Sequence, residues 1–370
     1  VSIGVGNAIE VRALDVLFPD QKGGRRATAA ACAAALQALD RGDNRDTVRD
    51  TTGVVPGVIN ANLDVPTGSI VVLMGLSGSG KSSLLRAVNG LNPSARGSIR
   101  ISSGEGAIDV CALGPRALRA VRRRSLAMVF QQFGLLPWAT VAENVGFGLA
   151  VRGESRTQRQ KIVARQLELV GLQEWADAPI ASLSGGMQQR VGLARAFATE
   201  ADILLMDEPF SALDPLIREH LQTELLELQA RLGRTILFVS HDLDEALKLG
   251  SHIAIMEGGR IVQIGTADDI VFRPATDYVA RFVRHVNPLS VLSANTVMRP
   301  VDELPHPSAR VVARDCPVRE LLVLASEDKA PIAVVEQGCV VGIVERADVL
   351  RALSGQAIGQ AAGPVEGHEA

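Results

Sequence analysis

An α/β fold built on a largely parallel sheet is what this sequence predicts. Ser69-Ile-Val-Val-Leu-Met74, Ile203-Leu-Leu-Met206 and Thr235-Ile-Leu-Phe-Val239 are short continuous apolar runs, as strands buried on both faces require. Between the second and third, Ile217, Leu221, Leu225, Leu228 and Leu232 recur at helical spacing. Strand, helix and strand therefore alternate, the order expected of a sheet with crossover helices.

Taken in chain order, residues 20 to about 57 stand apart from that core. An Ala-rich helical stretch over 28–40 gives way to a Gly/Asp/Asn turn and a polar segment, which reads as an insertion near the start of the domain. The strand at 69–74 comes next, after a Pro-punctuated approach from Val65. A glycine-rich turn and a helix from Lys81 to about Gly90 follow it. The arginine-rich stretch 119–124 reads as a solvated helix end ahead of a strand at 125–130. The first domain is expected to span 1–288, closing at Pro288, with a second small unit over 295–354. That unit reads as extended chain, a helix at 318–325, a strand at 332–336, a tight turn at Gln337-Gly338, a strand at 340–345 and a helix at 347–353. Residues 355–370 are small and polar and are expected to fray.

At 370 residues the chain is long enough for two domains, and at 47% hydrophobic and 21% charged it reads as globular with a sizeable core. A net charge of -3 gives no electrostatic reason to expect nucleic acid as a partner. No run approaches the roughly 18 apolar residues of a membrane helix. Glu10, Arg12, Asp15 and Asp20 make the first stretch unreadable as a secretory signal. The cysteines, Cys32, Cys111, Cys316 and Cys339, have no metal-ligand spacing and are expected as buried free thiols in a reducing cytoplasm.

Gly75-Leu76-Ser77-Gly78-Ser79-Gly80-Lys81-Ser82 has the G-x-x-x-x-G-K-[ST] pattern and lies between the predicted strand and helix. Such glycines let successive backbone N–H groups turn inward on a phosphate, and the following helix dipole adds to the attraction. Lys81 is then expected to reach the β- and γ-phosphates of ATP, and the Ser82 hydroxyl to ligate Mg²⁺. Asp207 and Glu208 follow the apolar run at 203–206, which puts both carboxylates at the edge of the sheet where ligands bind. Asp207 is expected to hold Mg²⁺ and Glu208 to polarise the attacking water.

These residues describe a P-loop nucleotidase. Leu183-Ser184-Gly185-Gly186-Met187-Gln188-Gln189-Arg190 narrows the class, because it resembles the signature of ABC-type ATPases, with Met187 where the family usually has Gln. Gln131 in Val129-Phe130-Gln131-Gln132, the run Ser211-Ala212-Leu213-Asp214 and His241 match the same family in order and spacing. The resemblance implies a P-loop ABC-type ATPase domain with a helical signature subdomain. It also implies a homodimer in which Ser184, Gly185 and Gly186 of one chain face the ATP held by the other. Gln131 would sense Mg²⁺ and the water, His241 would stabilise the γ-phosphate, and Phe18 would stack on the adenine.

The insertion, Met187, the run Phe210-Ser-Ala-Leu-Asp-Pro-Leu-Ile-Arg218 and the segment from Ser240-His-Asp to Ala246 are similar to the ATPase subunits of quaternary amine importers. The stretch from Phe133 to Trp138 and Glu143-Asn-Val145 resembles the choline and betaine branch. Residues 295–353 resemble one CBS repeat, a small α+β unit, in which Gly342 and Asp348 are present but Glu345 replaces a hydroxyl residue. The resemblance thus implies a peripheral ATPase on the cytoplasmic face of the inner membrane. Its partners would be membrane permease subunits and an external substrate-binding protein. Two alternatives remain at this point: an importer for another solute, such as a polyamine or amino acid, and a soluble ABC ATPase outside transport.

Overall fold

The computed structural model describes residues 6–19, 24–103, 106–132, 134–284, 291–301, 310–327, 330–336 and 338–353. The chain divides into two compact units, 1–264 and 265–370.

In the first unit β1 (Asn7–Pro19) leads to α1 (Gly24–Asp40) and α2 (Arg45–Thr52), and the chain returns as β2 (Val54–Pro66). β3 (Ile70–Met74), α3 (Lys81–Val88), β4 (Arg96–Ser103), β5 (Gly106–Asp109), α4 (Pro115–Arg124) and β6 (Leu126–Val129) follow. A helical region holds α5 (Val141–Arg152), α6 (Arg156–Leu169) and α7 (Gly185–Ala198). Last come β7 (Ile203–Asp207), α8 (Pro215–Leu232), β8 (Thr235–Val239), α9 (Leu243–Leu249), β9 (His252–Glu257) and β10 (Arg260–Gly265).

Six strands form one sheet in the order β10-β9-β3-β8-β7-β6. β3 runs parallel to both β8 and β9, and β6, β7 and β8 are parallel to one another. The three apolar runs of the sequence are the adjacent strands β3, β8 and β7, every residue of each buried. Strands covered on both faces cannot alternate apolar and polar residues, which is why these runs are continuous. Because the three are parallel and adjacent, the chain leaves them at one common edge.

An antiparallel sheet, β2-β1-β4-β5, packs across the core from it. Leu14 and Val16 of β1, Ile99 and Ile101 of β4, and Leu84, Leu85 and Val88 of α3 share one hydrophobic cluster with Leu73, Leu205 and Leu237. The insertion is a helical hairpin that returns as strand at Val54, so residues 54–57 belong to β2. The polar segment expected after its turn is α2, capped by Asn44, whose side chain accepts the Thr47 N–H at 2.9 Å. Leu17, Ala35, Ala38, Leu39, Val48, Val54 and Ile59 form a small core that seats this hairpin on β1 and β2.

The second unit comprises α10 (Ala267–Phe272), α11 (Asp277–Val283), α12 (Ala294–Val297), β11 (Arg299–Pro300), β12 (Arg310–Ala313), α13 (Val318–Glu327), β13 (Ile332–Glu336), β14 (Cys339–Val344) and α14 (Arg346–Leu353). It begins ahead of the boundary expected at 288. One tie is the Thr296 hydroxyl of α12, which donates to Asp268 of α10 at 2.9 Å. The extended start expected at 295 is the short helix α12. Its sheet runs β11-β14-β13-β12, with β12 and β13 parallel and the other pairs antiparallel. Pro288, Gln337 and the tail 355–370 lie outside the described residues.

The cysteines are free, but the expectation of burial is corrected: Cys111 and Cys339 are exposed, and Cys32 and Cys316 half-buried. Cys111 lies in a one-turn 3₁₀ segment and Cys339 opens β14 just after a glycine turn, positions with little chain packed over them. Among the described residues no helix is long and apolar enough to cross a membrane.

Candidate functional site

β3 ends where the chain must adopt conformations that L side chains rarely take: Gly75, Gly78 and Gly80 have φ of 142°, 79° and 104°. A Cβ at Gly75 would strike the Met256 carbonyl, and one at Gly80 would strike the Gly57 carbonyl. The loop is thus clamped between β2 and the end of β9. Gly259 completes the clamp, its N–H donating to the Ser79 carbonyl at 3.0 Å.

Lys81 opens α3 and is 6% exposed. Its Nζ donates to the Gly75 carbonyl at 2.7 Å and to the Leu76 carbonyl at 3.0 Å. Burial pushes the ammonium pKa below its ordinary value, against the pull of the Glu208 and Asp207 carboxylates. The Ser79 hydroxyl is buried beside it with no hydrogen-bond partner among the described residues. A buried cation bonded only to neutral carbonyls, next to an orphaned hydroxyl, fits an anion such as a phosphate.

The Ser82 hydroxyl donates to Asp207 Oδ1 at 2.7 Å, and Arg86 pairs with Oδ2 at 3.1 Å. Asp207 is fully buried at the end of β7. A hydroxyl and a carboxylate oxygen already in contact are hard ligands of the kind Mg²⁺ takes.

Glu208, the next residue, sits at φ 50°, a strained setting for a non-glycine residue. Its N–H is held by the Val239 carbonyl at 3.1 Å. Gln131 Nε2 donates to its Oε2 at 3.3 Å, and His241 Nδ1 lies 3.2 Å from the same oxygen. Three loops, after β6, β7 and β8, therefore converge on one carboxylate.

Phe18, Ser77, Gly78, Gly80, Lys81, Ser82, Gln131, Glu208 and His241 line a single open cleft of about 670 Å³. The structure thus brings together most of the residues expected from the sequence. Ser184, Gly185 and Gly186 are not among the lining residues. Ser184 caps α7, its hydroxyl accepting the Met187 N–H at 3.4 Å. A Cβ at Gly185 would meet nothing within 4 Å, whereas one at Gly186 would come 3.2 Å from the Ala212 carbonyl.

Sequence reasoning passed over Arg45, Gly57 and Ser83 in the cleft and gave no role to Gln189, whose side chain donates to the Glu208 carbonyl. Gln189 is a buried polar residue in helical register with Leu193 and Ala196 of α7, and that break in an apolar face was a readable signal. Nothing in the sequence marks Arg45.

Residues 58–211 match the family model described as ABC transporter. The chain is 44% identical to the glycine betaine/proline betaine transport system ATP-binding protein ProV of Salmonella typhimurium, over 88% of this chain and 80% of that one. It is 39% identical to the glycine betaine/carnitine transport ATP-binding protein GbuA of Listeria monocytogenes, covering 86% and 93% of the two chains. With the trimethylamine N-oxide transport system ATP-binding protein TmoW of Ruegeria pomeroyi the identity is 44%, over 85% and 91%. The dimeric post-hydrolysis state of the ATP-binding cassette MJ0796 bound to ADP and Pi superposes with a TM-score of 0.58 at 27% identity, covering 70% of this chain and 98% of that one.

Proposed function

This chain belongs to the ATP-binding subunits of ABC transporters, which hydrolyse ATP, and from that premise we propose that it powers uptake of a quaternary amine such as glycine betaine or choline through a separate membrane permease. The observation that carries the reading is the convergence of Lys81, the Ser82–Asp207 pair and the Gln131–Glu208–His241 group at one edge of four adjacent parallel strands. The solute class rests on relatives whose names specify glycine betaine, proline betaine, carnitine and trimethylamine N-oxide.

In this reading the loop amides and Lys81 bind the β- and γ-phosphates, and Phe18 stacks on the adenine. Ser82 and Asp207 would hold Mg²⁺, which supplies charge neutralisation at the terminal phosphates. Glu208, oriented by Gln131 and His241, accepts a proton from the water that attacks the γ-phosphorus, and the bond to the β–γ bridging oxygen breaks to release ADP. His241 then faces the charge that develops on the γ-phosphate. Ser184, Gly185 and Gly186 of a second copy present free helix N-terminal amides to the same phosphate, so two chains share two ATP molecules.

A permease would find a fitting surface on this chain. Leu136, Trp138, Phe147 and Val163 line an open apolar groove over α5 and α6, with Trp138 82% exposed. Large apolar side chains exposed together mark a partner interface. An external substrate-binding protein would deliver the amine, and the ATPase would sit peripherally at the cytoplasmic face. The helix–strand–strand–helix order at 318–353 supports a single CBS-like repeat that serves packing or dimerisation. Its Asp348 is fully engaged by Arg299, Arg351 and the Glu345 N–H, and Glu345 by Arg299, so neither acid is set up to receive a nucleotide phosphate.

The test is uptake of labelled glycine betaine and choline by a strain lacking this chain. Uptake restored by the wild-type chain and not by Glu208→Gln supports the reading. Unchanged uptake of both amines in the deleted strain rejects the solute assignment.

A further inference from the structure

The insertion carries a side chain into the ATP cleft. Arg45 is the first residue of α2, and its Nη1 donates to the carbonyl of Gly78, at the crest of the phosphate loop. It lines the same cleft as Phe18, Lys81 and Glu208. The hairpin that delivers it is anchored: Val48, one turn further along α2, is fully buried in the small core against β1 and β2. Asn44 fixes the start of the helix.

Charge gives this position its meaning. In the site, Lys81 and Arg86 together only balance Asp207 and Glu208. Arg45 makes no ion pair among the described residues, and its hydrogen-bond partner is a neutral carbonyl. A polyanionic nucleotide entering the cleft offers that guanidinium a charged acceptor in place of a neutral one, and charge-assisted bonds are about twice as strong. We propose that Arg45 is a ligand of the nucleotide's phosphate chain, so that the insertion is part of the ATP site. The proposal rests on the reading of this cleft as that site.

The experiment is calorimetric binding of the non-hydrolysable imido analogue of ATP, and of AMP, to the full chain at low and high salt. Arg45→Ala should weaken the analogue by about 10-fold at low salt, in the range of a hydrogen bond to a charged group. The loss should shrink at high salt. Arg45→Lys should recover most of the affinity, and AMP should bind both variants as it binds the wild type. Analogue affinity unchanged in Arg45→Ala, or an equal loss for AMP, overturns the proposal, because a purely structural role would not discriminate by phosphate number. Lys81→Ala separates the two readings. If it also binds the analogue normally, the ATP assignment of the cleft fails. If it loses binding while Arg45→Ala does not, only the role of Arg45 fails.

Discussion

Gln189 ties α7 to the backbone of Glu208. Its Nε2 donates to the Glu208 carbonyl at 3.1 Å, and its Oε1 accepts the Ala212 N–H at 3.0 Å. The side chain is buried, so a displacement of α7 is felt directly at the backbone of Glu208. Gln189→Leu should leave buried polar groups unpaired, at a cost of about 1–3 kcal/mol in stability. Steady-state kinetics should show kcat reduced roughly 10-fold, the effect of about 1.4 kcal/mol on the barrier, with KM for ATP nearly unchanged. Wild-type kcat in a folded Gln189→Leu chain would show that the tie has no part in turnover.

Gly57 controls where Phe18 lies. A Cβ at position 57 would collide with the Phe18 ring, and the ring is 39% exposed and free to swing outward. Gly57→Ala should therefore change the melting temperature little while weakening ATP binding by about 10-fold, as lost aromatic stacking does. In a Phe18→Ala background the same change should add almost nothing, which a double-mutant cycle measures. Additive losses would mean that Gly57 acts through the phosphate loop instead.

Much of this site was legible before the fold was known, because its chemistry is written in contiguous segments. The phosphate loop and the acidic pair each follow a strand whose burial on both faces makes its apolar run conspicuous. β1 was not legible in that way. Ala13 at φ 44° and the register shifts around Leu14 break its alternation, so its buried residues keep no simple period. The cleft residues that escaped notice depend on tertiary approach. Arg45 reaches Gly78 across 33 residues of chain, and Gly57 is needed only because Phe18 and Gly80 close on it.

Below His241, Glu245 is buried with Ser240 donating to Oε2 at 2.5 Å and Gln222 to Oε1 at 3.0 Å. Burial pushes its carboxyl pKa up, outweighing those two hydrogen bonds. A raised folded pKa means that the folded state holds the proton more tightly than the unfolded chain. The contribution is then fully present below about pH 4.5, the unfolded reference, and is lost as pH rises through the folded value. The melting temperature of the wild type relative to Glu245→Gln should accordingly fall as pH rises from 4.5 toward neutrality. A constant difference across that window would contradict the shift.

Two copies of this chain are expected to close on ATP, with Glu208 reopening them by hydrolysing it. If Glu208 is the general base, Glu208→Gln should bind ATP but lose turnover by roughly 10²-fold or more, and so remain closed. Light scattering of Glu208→Gln with ATP and Mg²⁺ tests this most directly. The predicted result is the mass of two chains with ATP and of one chain without it. The mass of a single chain at saturating ATP would contradict the shared site.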